Sequence, residues 1–476
     1  MNPSRDFDGC SGAFTSQIEA ALRERPALGG RVGVSRAPGV VDVMGGIGED
    51  AGSLVLTAST GMSHLAAAWP TGESKIQVRI LSAIADEDRD FSAPVALIEG
   101  AEAGICRQCE SDDAAWAAAP LLAIRRVIED GVAPALQEGL SVLIEHDFPV
   151  GCDLGRLPSI AVAAADAYCR MHGIAPEALV LARSAAAVVT ELTGLQQLRK
   201  TMTAIVAPAN NTLLQLQFYP AFRCDPLELP AGVIVKAACT RLSRPTSVKR
   251  LIETRLCSEM GHRVIQELQR QDGQRVDVPA ARLSSITPAE FVERFRDRMP
   301  SKMTQQQFAT KFGALRGLPE KPENPKEPYK VRSRTEHHIY ENRRVHDFAT
   351  HVVRARRGGP GDALVDAGEL MYASHWSHSQ RCGIGGVETD RFVNFVRAAG
   401  PDQGLYGAKV TAGGEGGELI VLMRDDAQAH AAVANAAKRA KELSKEAVHL
   451  FEGALPGAQH FVPPEFGALR ESAGVA

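Results

Sequence analysis

The sequence has few of the features that mark nucleic-acid-binding or membrane proteins. Aromatic residues make up only 5% of the 476 residues, and the formal net charge is −4. Base-stacking surfaces need aromatic side chains beside basic ones, and binding to a duplex needs a strong positive field, so we expect no nucleic-acid partner. The chain also lacks a run of about 18 apolar residues, so we expect no membrane-spanning helix.

Cysteine occurs without a metal-binding or disulfide pattern. The nine cysteines are an odd number, and Cys106 and Cys109 form a CxxC that no second CxxC or histidine pair completes into a zinc site. We therefore expect reduced thiols, no metal site and a cytoplasmic location, with an N-terminal segment too polar for a signal peptide. A hydrophobic content of 45% in a chain of this length indicates a globular protein of two or three domains or one two-lobed unit.

The order of sequence patterns predicts an α+β fold. Residues 31–70 alternate apolar and polar positions and are interrupted by glycine and proline, which is typical of β-strands. Residues 158–172 begin with proline and are rich in alanine, which predicts a buried helix. Residues 317–330 contain four prolines and six charged residues, which predicts a loop or linker. Strand-rich and helix-rich stretches are thus segregated.

Three glycine-rich segments follow one another along the chain. They are APGVVDVMGGIGEDAGSLVL at 37–56 (first), PVGCDLGRLPSIAVAAA at 149–165 (second) and GAKVTAGGEGGELIVL at 407–422 (third). Their order and spacing resemble the GHMP superfamily of small-molecule kinases, most closely its galactokinase and arabinokinase members. YENRRVHDF at 340–348 and FEGALPGAQHF at 451–461 extend the resemblance over nearly the whole chain. It implies a two-lobed α+β fold, with an N-terminal lobe over 1–220 and a C-terminal lobe over 221–476.

The resemblance also implies where ligands bind. In these kinases a Gly-Ser loop at a helix N-terminus receives the ATP phosphates, and an aspartate orients the sugar hydroxyl. An arginine of the first segment stabilises the transferred charge. The corresponding nucleotide-site positions are Gly151, Gly155, Arg156, Gly413, Gly414 and Gly416. The corresponding sugar-site positions are Asp42, Gly46, Glu49, Asp50 and Gln197.

Several of these positions depart from the kinase pattern. Val40 stands where the arginine is expected, Gln197 stands at the catalytic aspartate, and Asp153 replaces a glycine of the phosphate loop, whose three serines are also missing. A valine cannot stabilise phosphoryl charge, and a glutamine cannot accept a proton. A carboxylate about 4 Å from a phosphate would repel it by ~4 kcal/mol per unit charge at an effective dielectric constant of about 20.

Three hypotheses remain open from the sequence. The first is a pseudokinase that binds a sugar-like ligand or a protein partner and needs no cofactor. The second is an active sugar kinase that uses Mg-ATP with unusual residues. The third is an enzyme that reuses the site for acid–base catalysis by Glu49, Asp50 and Asp153, placed on opposite walls of one cleft. Because crowded carboxylates repel each other, we expect at least one of them to have a raised pKa.

Overall fold

The structure is a computed structural model that describes residues 11–25, 31–82, 88–100, 102–111, 114–149, 151–208, 212–243, 248–274, 282–315, 326–359, 362–411 and 417–463. Gly413, Gly414 and Gly416 lie outside these residues, as does most of the proline-rich segment 317–330. Within the described ranges, every helix is too short or too polar to cross a membrane.

The N-terminal half of the chain builds the larger sheet. Its strands in the described residues are β1 (Gly33–Met44), β2 (Val55–Pro70), β3 (Lys75–Ser82), β4 (Arg89–Pro94), β5 (Leu140–His146), β6 (Thr212–Gln217) and β7 (Arg223–Glu228). The order is β4-β3-β5-β2-β6-β7, with β1 paired to β2. All pairs are antiparallel except β3 with β5.

The strand that carries the first glycine-rich segment is irregular. β1 pairs with β2 from Gly33 opposite Ala68 to Met44 opposite Leu56, and the register shifts between Pro38 and Val40 and again between Asp42 and Met44. Such bulges bend a strand and redirect its side chains, and they are common beside binding sites.

The second sheet belongs to the C-terminal half. It runs β11 (Val448–Leu450), β8 (Val233–Thr240), β10 (Glu418–Arg424), β9 (Leu405–Val410), and every pair is antiparallel. The third glycine-rich segment therefore joins two hydrogen-bonded neighbours, β9 and β10. Thr411 N donates to Glu418 O at 2.9 Å, which closes the base of that loop.

Helices cover both sheets. They are α1 (Gly12–Glu24), α2 (Ala96–Glu99), α3 (Glu102–Gln108), α4 (Ala115–Glu129), α5 (Arg156–Met171), α6 (Ala178–Thr193), α7 (Leu198–Val206), α8 (Val248–Gln271), α9 (Pro288–Glu290), α10 (Gln305–Phe312), α11 (Val331–Arg356), α12 (Ala363–Ser377), α13 (Val387–Ala399) and α14 (Ala427–Ser444). Helix α5, predicted from its alanines and first-turn proline, packs on β1 and β2. Helix α12 packs on β9, and α11 packs on α12 and α8.

The two halves share a core. One buried apolar cluster joins Val41 and Phe148 of the first half to Ala237 and Ile420 of the second sheet and to Phe348 of α11. The predicted α+β architecture is confirmed. The lobe boundary at residue 220 stays a prediction, and β7, which follows it, pairs with β6 in the first sheet.

The chain returns to the first half after β11. Leu455 N donates to Thr60 O at 3.1 Å, and Gly457 N donates to Ala207 O at 2.9 Å. These contacts place the FEGALPGAQHF stretch at 451–461 against the first sheet and the end of α7. The C-terminal part of the described chain therefore packs on its N-terminal half.

Candidate functional site

The first and second glycine-rich segments touch at Val40. Its N–H donates to Leu154 O at 2.8 Å, and a Cβ added to Gly155 would lie 2.8 Å from both the N and the O of Val40. Gly155 also has φ +72°, a left-handed conformation that favours glycine. Glycine at 155 is therefore needed for close approach, and the position where the resemblance places an arginine is filled by a buried valine packed on the second segment.

A buried arginine, Arg199, binds two carboxylates of the first segment. Its Nε donates to Asp42 Oδ1 at 2.6 Å and its Nη2 to Asp42 Oδ2 at 2.9 Å. Its Nη1 donates to Glu49 Oε2 at 2.8 Å, and its backbone N–H donates to Glu49 Oε1 at 3.3 Å. The Arg199 side chain is 4% exposed and that of Asp42 is fully buried. This two-pronged geometry is the strong form of an arginine–carboxylate ion pair.

The two carboxylates respond differently to this environment. Burial acts to raise the pKa of Asp42, but the charge and hydrogen bonds of Arg199, helped by Lys200 and Lys409, outweigh it and lower the pKa. Burial raises the pKa of Glu49, and Arg199 only partly opposes it. The prediction that at least one of the named carboxylates has a raised pKa is thus confirmed for Glu49, although burial rather than carboxylate crowding is the main cause.

Gln197, which stands where the resemblance places the catalytic aspartate, lies at the start of α7. Gln197 precedes the helix, and its backbone carbonyl accepts from Lys200 N at 3.0 Å. Its side-chain Oε1 is buried and accepts no hydrogen bond from any described residue. The next turn supplies two cations, Arg199 and Lys200, so the region beside the neutral Gln197 is charged.

The charge of Asp153 acts on a second acid, Glu418. Glu418, the first residue of β10, is 2% exposed, and its Oε2 has no described hydrogen-bond partner. Burial raises the pKa of Glu418 well above its usual range; the charge of Asp153 adds to the effect and that of Lys200 opposes it. Burial and the nearby charge of Asp153, a residue of the second glycine-rich segment, thus both favour the protonated form of Glu418, which belongs to the third segment.

Lys200 is close enough for its charge to act on both parts of this region. It is 1% exposed, and it forms no ion pair or hydrogen bond through its ammonium group with the described residues. Its charge acts on both Asp42 and Glu418. Below, "the junction" means Asp42, Glu49, Asp153, Gln197, Arg199, Lys200 and Glu418.

Glu341 connects the first segment to α11. Its Oε1 accepts from Gly45 N at 3.3 Å and from Ser374 Oγ at 2.5 Å, and its Oε2 accepts from Arg344 Nη1 at 2.7 Å. Burial acts to raise the pKa of Glu341. The charges of Arg344, His378 and Lys409 outweigh burial and lower the pKa to about 2. The YENRRVHDF stretch thus supplies a permanent anion that fixes the backbone of the first segment.

One cluster of potential metal ligands occurs among the described residues. His337, Glu341 and His378 each offer an atom within 4.8 Å of the others, and all three are buried. Glu341 is already bound by Arg344, Ser374 and Gly45, and the charges of Arg344 and Lys409 both act on the cluster. Two neighbouring cations oppose a metal ion here, so these side chains are better explained as packed, neutral histidines around an anchoring carboxylate.

Comparison with known proteins connects this arrangement to a family. The sequence is 25% identical over 522 residues to L-arabinokinase of Arabidopsis thaliana, an alignment that covers 96% of this chain and 49% of that protein. The fold is similar to that of Lactococcus lactis galactokinase, solved with galactose, with a TM-score of 0.65, 16% identity, and 93% and 98% of the two chains covered. The sequence is thus similar to that of an arabinokinase, and the fold is that of the GHMP kinases.

A more distant GHMP fold is also similar. Mevalonate kinase of Methanococcus jannaschii matches with a TM-score of 0.54 and 13% identity, and 89% and 98% of the two chains are covered. No family model matches the sequence. The chain spans about half the length of its curated plant relative, and the solved structures, at this identity, show the fold alone.

Within this GHMP fold, the structure groups the predicted site residues in two sets. Asp42 and Glu49 meet at Arg199, and the charge of Asp153 acts on Glu418. The predicted placement of Asp153 opposite Glu49 stays a prediction. Gly46 begins the 3₁₀ turn Gly46–Ala51 that carries Glu49. Asp50 belongs to the same turn, but its side chain is outside the description.

The predicted nucleotide-site residues of the second segment frame the start of α5. Gly151 has φ +81° and Gly155 is the N-cap of the helix, with no side-chain cap. Arg156 N donates to Asp153 O at 2.6 Å. Burial lowers the pKa of Arg156, and its charge helps to lower the pKa values of the buried His64 and His146, so its guanidinium faces that histidine pair. Whether these positions bind nucleotide stays a prediction.

Four junction or anchor residues were not predicted as functional from the sequence: Arg199, Lys200, Glu341 and Glu418. A signal existed for the first two, because Arg-Lys follows directly after the position aligned with the catalytic aspartate. Glu341 stood within the quoted stretch 340–348, and Glu418 stood within the third segment, yet neither spacing nor periodicity distinguishes them from surface glutamates.

Proposed function

We propose that this chain binds a neutral, sugar-like ligand at the junction and has lost phosphoryl transfer. The observation that carries the proposal is the Arg199 ion-pair network. Arg199 donates two hydrogen bonds to Asp42 and one to Glu49 through its guanidinium group. A cation saturated by two carboxylates provides little stabilisation for a transferred phosphoryl group, because its charge is already neutralised.

The phosphate side of the junction supports the same conclusion. Asp153 occupies the loop before α5, and Glu418 borders it as a buried acid. The three positions of the kinase serines, 155–157, hold no serine, and Ser159 in the first turn of α5 donates to Ala37 O at 2.7 Å. A carboxylate at this place repels the β- and γ-phosphates by an amount of order 4 kcal/mol at about 4 Å.

The unpartnered amide of Gln197 supports a hydroxyl-bearing ligand. A buried oxygen that accepts no hydrogen bond costs about 1–3 kcal/mol, and a ligand hydroxyl would remove this cost. A neutral polyol also suits a site in which Arg199 balances Asp42 and Glu49. The similarity in fold to a galactokinase solved with galactose agrees with this ligand class.

An active ATP-dependent sugar kinase is the second candidate, and Lys200 favours it. Its buried ammonium group has no described ion-pair partner and acts on both halves of the junction. In that case Lys200 would provide the positive charge that Val40 does not, and Mg-ATP would be the cofactor. The third candidate, acid–base catalysis, would use Glu418 as the acid beside Asp153.

The test is a ligand screen by thermal shift and isothermal titration. Neutral aldoses and polyols, including arabinose and galactose, are titrated with and without Mg-ATP. We expect one of them to stabilise the fold by about 2.7 kcal/mol at 100 times its Kd, with no effect of Mg-ATP. Micromolar Mg-ATP binding would support the kinase instead.

Two neighbouring glutamines localise the ligand. Gln197→Met removes the buried amide and should weaken sugar binding at least tenfold. Gln196→Met is the matched control, because Gln196 is exposed and points into a different pocket, and it should bind sugar like the parent. Equal effects of the two substitutions would contradict a sugar site at the junction.

A further inference from the structure

An arginine-rich pocket lies beside the junction. Its volume is about 810 Å³, and it opens between α4, α6 and α8, next to the turn that carries Glu49. Four arginines line it: Arg126, Arg183, Arg255 and Arg282. Gln196 and Leu198 also line it, whereas Gln197 and Arg199 do not. Glu49 belongs to both the junction and the lining, so the pocket adjoins the junction.

Three of these arginines lack a counter-ion in the described part of the chain. Arg126 donates to Asp130 at 3.2 Å, but Arg183, Arg255 and Arg282 form no ion pair with a described carboxylate. Arg255 Nε is buried without a hydrogen-bond partner among the described residues. Arg282 lies over the ring of Tyr219, 5.2 Å from its centroid, which holds the guanidinium against the pocket wall.

Three acidic residues also line the pocket, and none of them forms an ion pair with Arg183, Arg255 or Arg282 in the described part of the chain. Glu49 is bound by Arg199. Burial raises the pKa of Glu259, and the charges of Arg255 and Arg282 only partly oppose this. Glu191 accepts from Cys106 Sγ at 3.5 Å, on the side of α3. The pocket therefore presents three guanidinium groups that still have free donors.

We propose that this pocket binds a phosphomonoester carried by a sugar-sized molecule. Guanidinium groups match the oxygens of a phosphate with paired hydrogen bonds, and three guanidinium groups without an ion pair favour a doubly charged phosphomonoester. The volume lies within the usual range of about 300–1,000 Å³ for small-molecule sites. Phe218 and Tyr219 add aromatic surface on which an apolar face of the molecule can rest.

The test is isothermal titration of the full chain with inorganic phosphate, glucose 6-phosphate, glucose and glucuronate. We expect glucose 6-phosphate to bind most tightly and inorganic phosphate to bind more weakly. Arg183→Gln, Arg255→Gln and Arg282→Gln should each weaken binding of glucose 6-phosphate at least tenfold, equivalent to about 1.4 kcal/mol. Arg23→Gln is the control, because Arg23 is exposed on α1 and pairs with Glu19.

Several results would overturn the proposal. They are no binding of glucose 6-phosphate, equal binding of glucuronate, unchanged binding in all three pocket variants, or an equal loss in Arg23→Gln. If a glutamine variant does not fold, the lysine variant at that position replaces it and should also weaken binding of glucose 6-phosphate. Gln197→Met, which tests the junction, should leave binding of glucose 6-phosphate unchanged, so failure of the proposed sugar site would be recognised separately.

Discussion

Replacing Arg199 by methionine tests the ion-pair network at the junction. The substitution keeps the length of the side chain but removes the group that binds Asp42 and Glu49, whose side chains are 0% and 8% exposed. Removing one partner of a buried ion pair leaves uncompensated charge and typically costs 3–5 kcal/mol. We expect Arg199→Met to lower the free energy of unfolding by about that amount at pH 7.5, measured by urea denaturation.

The pH dependence of this loss follows from the pKa of Asp42. In the parent, Arg199 lowers that pKa below 3.8, so the stabilisation by Asp42 is present above pH 3.8 and is lost only as the pH falls through the folded-state pKa. Without Arg199, burial raises the pKa of Asp42. The variant is therefore destabilised as the pH rises through that pKa, because Asp42 then becomes a buried, unpaired charge. The difference between parent and Arg199→Met should therefore be larger at pH 7.5 than at pH 5.

Two further proteins complete the experiment. The triple variant Asp42→Asn, Glu49→Gln, Arg199→Met has no buried charge at these positions and should recover most of the lost stability. Arg79→Met breaks an ion pair whose side chains are 49% and 64% exposed, and it should cost less than about 1 kcal/mol. A loss in Arg199→Met as small as that of Arg79→Met, or one that is equal at both pH values, would refute the reasoning.

Two other substitutions have defined outcomes. Gly155→Ala should lower the melting temperature more than Gly173→Ala, because both have φ near +70° but only the first would place a Cβ 2.8 Å from Val40; equal shifts would contradict the close contact. In the parent, the pKa of Glu418 is higher in the folded state than in the unfolded state. Protonated Glu418 therefore contributes stability that is fully present below pH 4.5 and is lost as the pH rises through the folded-state pKa. Glu418→Gln should therefore flatten the decline in unfolding free energy between pH 5 and 8, and an unchanged decline would show that Glu418 is ionised throughout.

The sequence predicted the parts of the fold that local patterns encode. Alternating residues in 31–70 correspond to β1 and β2, and the alanine-rich stretch 158–172 corresponds to α5. The predicted meeting of the first and second glycine-rich segments is found at Val40 and Gly155. These features depend on short-range periodicity and on the resemblance of ordered segments.

The sequence did not predict which charges pair. Arg199 and Asp42 are 157 residues apart, and Glu341 and Gly45 are 296 residues apart. No period or motif connects such positions, because their contact arises only when α7 and α11 pack against the first segment. For the same reason, the sequence did not predict that Glu418, which enters from the second sheet, lies within reach of the charge of Asp153.

The most direct test of the central claim is a single-turnover assay for phosphoryl transfer. The chain, in excess over radiolabelled Mg-ATP, is mixed with arabinose, galactose or the sugar that the screen identifies, and labelled sugar phosphate is separated after quenching. The Arg199–Asp42–Glu49 network and the acid pair Asp153–Glu418 predict no labelled sugar phosphate above the protein-free control. Formation of one equivalent of sugar phosphate, abolished by Lys200→Met, would contradict the account and establish an active kinase.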